Sequence, residues 1–185
     1  MVKSVAVYLG SSEGSEKFME FAFNMGRSLA LNGIEVVYGG ADVGTMKALA
    51  DGAFSAGGTI TGVFPDGFGG KREVALSHRD IARRDLTRLI SVKDFDERRK
   101  VMRELSDCCL VLPGSFGTMD ELFCYAVENE IGVHDKISYV MNLDGYYDGL
   151  EAQVATMKRE GFVSPLSGVI RFVRSSDEFF AALGE

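Results

Sequence analysis

The sequence predicts a doubly wound α/β fold, a parallel sheet with helices on both faces. Three observations carry this expectation. Short apolar runs alternate with longer helix-like stretches along the whole chain, the pattern of repeated strand–helix units. The run CCLVL at 108–112 has no polar side chain, as a strand covered on both faces requires. The chain carries 22 glycines against 3 prolines, an excess suited to tight turns and close backbone approach inside regular structure rather than to flexible linkers.

Residues 4–10 (SVAVYLG) read as a strand that runs into a glycine-serine loop, and 15–31 as the helix after it. A second unit repeats this: a strand at 34–38, a glycine loop to Gly44, and a helix at 45–56 stopped by Gly57 and Gly58. Residues 59–64 form a third strand, followed by the glycine-rich loop 65–70, a mixed basic segment and a strand at 86–92. The charged amphipathic stretch 94–106 is a helix, 108–112 a strand, and 118–130 a helix with apolar positions at 119, 122, 123, 126 and 127. A strand at 137–142, a helix at 149–160, a short strand at 169–173 and a helix at 177–183 complete the alternation. No linker interrupts it, so the 185 residues are expected to form a single domain, 1–185.

Composition narrows the function. With 20 Lys+Arg and 27 Asp+Glu the net charge is −7, which argues against a dedicated nucleic-acid or anionic-membrane binder. The charge is uneven: residues 71–103 hold 11 basic and 6 acidic side chains, leaving this stretch at +5 and the remainder at −12. Two readings stand, a set of solvated helix faces or a rim for a small phosphorylated ligand. Cys108, Cys109 and Cys124 lie in apolar runs without Cys-x-x-Cys spacing and are expected to be buried, reduced thiols. No apolar run reaches the ~18 residues of a membrane span, and the first run is too short for a signal-peptide core. The expectation is a cytoplasmic enzyme or binding protein.

In doubly wound sheets ligands bind outside the carboxyl ends of the strands, which selects three loops: GSSEG at 10–14, YGGADVGT at 38–45 and PGSFGT at 113–118. The segment VLPGSFGTMDELF passes from strand through a glycine turn into a helix. It thereby presents free N–H groups and the positive end of the helix dipole, a natural seat for phosphate. The same letters also spell a capping box, with Thr118 as N-cap and Glu121 reaching back to it. Gly39, Gly40 and Gly44 form a second strand-to-helix entry able to grip the other side of one ligand. Neither loop is a Gly-x-Gly-x-x-Gly fingerprint or a phosphate loop ending in Gly-Lys-Ser/Thr. His78 and His134 lack ligand spacing, so no metal is expected.

PGSFGTMDE at 113–121 resembles the PGGxGTxxE signature of the LOG (Lonely Guy) proteins, cytokinin riboside 5'-monophosphate phosphoribohydrolases long labelled possible lysine decarboxylases. GSS after the first strand, VYGGADVGTM at 37–46, GVFP at 62–65, DERRKVM at 96–102 and HDKISYVMNLDGYYDGL at 134–150 are similar as well and follow the family order. The resemblance implies a Rossmann-like domain, usually homodimeric, that cleaves the N-glycosidic bond of a nucleoside 5'-monophosphate without a cofactor. It further implies Glu121 and Arg98 as the catalytic pair. Gly39, Gly40, Gly44, Thr45, Arg99, Gly114, Ser115, Gly117 and Thr118 are then the substrate-binding residues. The chemistry suits these side chains: a carboxylate beside C1' stabilises positive charge on the sugar and polarises water, while an arginine holds phosphate or orients the carboxylate.

Two positions depart from the family pattern. Ser115 stands where the motif has its second glycine, and Lys47 where a glycine is usual. A serine forced to positive φ would cost about 1 kcal/mol or more, whereas in an ordinary conformation its hydroxyl adds a donor. Lys47 either brings charge to the site or points to solvent. A second functional reading is a non-catalytic nucleotide or cofactor carrier of related fold, such as the molybdenum-cofactor carriers. It keeps the anion site but does not need Glu121 and Arg98 together. Lysine decarboxylation needs a lysine Schiff base to pyridoxal phosphate, and no lysine here sits in a context for it.

Overall fold

The structure, a computed structural model, describes residues 2–65, 83, 85–164 and 167–184. Strand β1 (Ser4–Tyr8) leads to helix α1 (Glu16–Leu31), β2 (Glu35–Tyr38) to α2 (Gly44–Ser55), and β3 (Ile60–Pro65) precedes β4 (Arg88–Val92). Helix α3 (Phe95–Glu104), β5 (Cys108–Val111), α4 (Phe116–Glu130) and β6 (Ser138–Met141) come next in the chain. After a short 3-10 turn at Leu143–Gly145 come α5 (Asp148–Arg159), β7 (Ile170–Val173) and α6 (Ser176–Ala182). Every strand and helix expected from the periodicity is present, with ends shifted by a few residues. Of the expected glycine-rich loop, residues 66–70 lie outside the described residues, as does His78.

Among the described residues seven strands form one parallel sheet in the order β4-β3-β2-β1-β5-β6-β7. The order reverses between β1 and β5, so the loops leaving these two strands diverge and open a crevice there. Alternation along β1 serves both faces. Val5 and Val7 point into a core built with Met25 and Leu29 of α1, Leu49 of α2 and Phe179 of α6. Ala6 and Tyr8 point into the other, with Met102 of α3 and Leu122 and Tyr125 of α4. Period-two strands between two helical layers thus explain why apolar side chains occupy every position of β5.

Helices α1 and α2 cross at glycines. A Cβ on Gly26 would lie 2.0 Å from the Leu49 carbonyl oxygen, and one on Gly52 1.9 Å from that of Phe23. Only hydrogen fits at either position. Cys108 and Cys109 are buried in β5, and burial pushes the Cys108 thiol up to about 12. Cys124 departs from expectation: it lies on the outer side of α4 and is only half-buried, because residue 124 is displaced from the inward-facing Leu122 and Tyr125.

Candidate active site

A cavity of about 220 Å³ lies at the reversal point, against the exits of β1, β2, β3 and β5. Leu9 and Ser11 border it from the first loop, Gly39 and Ala41 from the second, and Phe64 and Pro65 from the end of β3. Phe95 and Arg98 of α3 and Ser115, Gly117, Thr118 and Glu121 of α4 complete it. A second chamber of about 170 Å³ adjoins it on the far side of Ser115, between Gly10, Thr45, Phe18 and Tyr146.

Helix α3 is started by Asp94, whose carboxylate accepts from the Glu97 N–H at 2.8 Å. Met102 is the buried residue of α3, Phe95 and Arg98 border the cavity, and the Arg98 guanidinium lies 4.7 Å over the Phe95 ring. Gly39 makes room for it, since a Cβ there would stand 3.3 Å from Arg98 Nη1 and 3.0 Å from Met46 Cε. Arg98 Nη2 donates to Glu121 Oε1, and the two side chains are 12% and 4% exposed. Arg98 Nε is buried and has no hydrogen-bond partner among the described residues.

Burial pushes the Glu121 carboxyl up to about 7, against the pull of Arg98 and with the help of nearby Asp120. A carboxyl that changes charge near neutral pH suits proton transfer.

The capping box is not formed. Helix α4 begins at Phe116 with Ser115 as its N-cap, so Thr118 and Glu121 both lie inside the helix. The first turn carries two small or exposed positions, and Phe116 is 94% exposed, which hides it from apolar periodicity. Glu121 is therefore free to face the cavity. Ser115 has φ −103°, an ordinary extended conformation that serine adopts without strain. The glycine that cannot change is Gly114, where a Cβ would fall 2.1 Å from Thr118 Oγ1.

Gly40 and Gly44 turn the second loop with φ +75° and +53°, and Thr45 Oγ1 donates to the Gly10 carbonyl at 2.7 Å. This bond ties the loops of β1 and β2 together. Gly39, Ser115, Gly117, Thr118, Arg98 and Glu121 are brought together in the cavity. Arg99 is not among its walls: turned away by one helical step, it donates to Asp96 and to Asp120, the latter at 2.6 Å. Lys47 also points outward, to Asp51 at 2.6 Å.

Lys71, Arg72, Arg79 and Arg84 of the basic stretch lie outside the described residues, and the described members divide between the two readings, with Lys93 and Lys100 exposed to solvent and Arg98 at the cavity. Among its described members Arg83 is buried against Asp42, Asp51 and Asp85, Arg103 pairs with Glu128, and Lys100 with Glu104. Arg98 alone of them borders the cavity. Neither Phe95 nor Tyr146 stands out in the sequence as a site residue. The Phe-x-x-Arg spacing within 95–98 was the legible signal for the first.

Among the described residues no group of three His, Cys, Asp or Glu side chains is placed to hold a metal ion. No helix among them is long and apolar enough to cross a membrane.

Residues 46–183 match the family model described as possible lysine decarboxylase. The cytokinin riboside 5'-monophosphate phosphoribohydrolase of Rhodococcoides fascians is 37% identical over 164 residues, covering 88% of this chain and 79% of that protein. The protein of the same name from Mycobacterium tuberculosis is 35% identical over 162 residues, covering 88% and 82%. Among solved structures, the molybdenum cofactor binding protein of Rippkaea orientalis superposes with a TM-score of 0.72 at 16% identity, covering 100% of this chain and 96% of that one. The molybdenum cofactor carrier protein of Chlamydomonas reinhardtii gives 0.69 at 18%, covering 100% and 96%. These structures share the fold, and the sequence relatives share more: the chain belongs to the LOG family of cytokinin riboside 5'-monophosphate phosphoribohydrolases, the family described as possible lysine decarboxylase.

Proposed function

We propose that the protein hydrolyses the N-glycosidic bond of a nucleoside 5'-monophosphate, AMP or an N6-substituted analogue, to free base and ribose 5-phosphate. The observation that carries this is the buried Arg98–Glu121 pair set against the N-terminus of α4 in one cavity. The N–H groups at the start of α4 and the Thr118 hydroxyl hold the 5'-phosphate. That places the sugar toward Glu121. As the C1'–N bond lengthens, the carboxylate stabilises the positive charge growing on the ribose and takes a proton from the attacking water. The water oxygen bonds to C1', the bonding electrons leave with the base, and the base nitrogen is protonated. Arg98 holds Glu121 in place and keeps part of its population ionised.

The protein acts as a homodimer in this reading. Phe123 and Val127 on α4 and Ile131 just past its end are exposed, and the first two border an apolar groove with Met157, Val163 and Ile170. A contiguous apolar surface of this kind fits a second copy of the chain.

Incubation with AMP and with N6-isopentenyl-AMP, followed by chromatography of the free base, tests the reaction. Base and ribose 5-phosphate in equal amounts are expected. Tight AMP binding without base release over hours would instead favour a carrier.

A further inference from the structure

The turn before α5 holds two adjacent tyrosines against the loop that enters α4. Tyr147 OH donates to the Leu112 carbonyl at 2.8 Å, and Tyr146 OH to the Gly114 carbonyl at 2.7 Å, so the pair grips the backbone on both sides of Pro113. Asp144 and Gly145 take φ +51° and +75°, which folds the chain tightly enough for neighbouring side chains to reach one loop. Asn142 supports the turn by accepting from the Tyr147 N–H at 2.7 Å. The Tyr146 ring is held edge-on by Phe18 and Tyr147, with centroids 5.2 and 4.8 Å away.

The Gly114 bond has the greater consequence. Gly114 must be glycine because Thr118 fills the space of a side chain, and glycine leaves the following peptide free to rotate. In a planar trans peptide the carbonyl and the next N–H point in opposite directions. With the Gly114 oxygen fixed on Tyr146, the Ser115 N–H points away from Tyr146 and its chamber. A flipped peptide would present an oxygen there instead, repelling an anion at the start of α4.

We propose that Tyr146 is a positioning residue, a hydroxyl latch that holds the Gly114–Ser115 peptide in the orientation that receives the substrate's phosphate. This rests on the reading of the cavity as a nucleoside monophosphate site. Tyr147 anchors the other side of the loop, and its buried hydroxyl contributes to stability as well. Tyr146 is 44% exposed, so removing its hydroxyl leaves the fold in place.

The test is calorimetric titration of wild type, Tyr146→Phe and Tyr146→Leu with AMP and with adenosine, alongside melting curves and the steady-state kinetics of AMP cleavage. Tyr146→Phe is expected to weaken AMP binding about tenfold, the worth of one charge-assisted hydrogen bond, and to raise KM more than it lowers kcat. Adenosine binding and the melting temperature should stay as in wild type. Equal losses for AMP and adenosine would show a general prop and overturn the latch. So would normal AMP binding by Tyr146→Phe with a loss confined to Tyr146→Leu, which would assign the effect to ring packing. If wild type itself binds adenosine as tightly as AMP, the monophosphate reading falls, and the latch with it.

Discussion

Catalysis turns on a single carboxyl whose charge is set by burial. Glu121 is raised to about 7, and the ionised form is the one that takes a proton from water. The rate should therefore fall as pH drops through 7, giving kcat/KM for AMP an acid limb near that value. The second ionisation of a phosphate monoester, near 6, adds a limb of its own. Glu121→Gln should abolish the first and keep the second, which a pH–rate profile resolves. Linkage has the opposite sense: between its ordinary value and 7 the folded protein retains a proton that the unfolded chain has released, so this group's contribution to stability declines as pH rises. Ser115→Gly should keep turnover within a few fold, because φ −103° suits serine and glycine alike, and a steady-state assay checks this. These two side chains differ in how far the sequence revealed them. The motif spacing located Glu121, but it left open capping or catalysis. Only the start of α4 at Phe116 removes the capping role. The conformation of Ser115 could not be read from letters, since serine and glycine both occur in extended backbone.

Among the elements, strands and helices were legible because their periods differ: β5 is apolar at every position, whereas α4 is apolar at 119, 122, 123, 126 and 127, the spacing of one helical face. What the periodicity misses is the distance between elements. Gly26 and Gly52 read as ordinary helical glycines, yet each faces a backbone carbonyl of the other helix within 2.0 Å of where a Cβ would sit. Gly26→Ala and Gly52→Ala should each destabilise the protein by about 1–3 kcal/mol through overpacking, read as a lower urea midpoint. Activity per folded molecule should be kept, since neither residue borders the cavity. The direction of Arg99 was similarly hidden. Adjacent arginines on a helix point about 100° apart, and Phe95 and Met102 lie midway between the two directions, so the helical period does not say which faces inward; the structure sets Arg98 on Glu121 and Arg99 on Asp96 and Asp120.

At the scale of the whole molecule, the strand order places the three glycine loops at one end of the sheet, and this much followed from strand–helix alternation alone. The second chamber and the tyrosine turn did not, because they bring residues 18, 114 and 146 together across the sheet. The proposed homodimer predicts a sedimentation mass twice the 20.1 kDa of one chain. Val127→Arg should return it to the monomer by placing a charge in the apolar face; a wild-type monomer at micromolar concentration would contradict that assignment. Hydrolysis at Glu121 is tested by the rate of adenine release from AMP by wild type and Glu121→Gln, with AMP affinity measured in parallel. Loss of a positioned base should lower turnover roughly 10²- to 10⁴-fold, about 3–5 kcal/mol of transition-state stabilisation, with affinity changed far less. Adenine release by Glu121→Gln at the wild-type rate would contradict it.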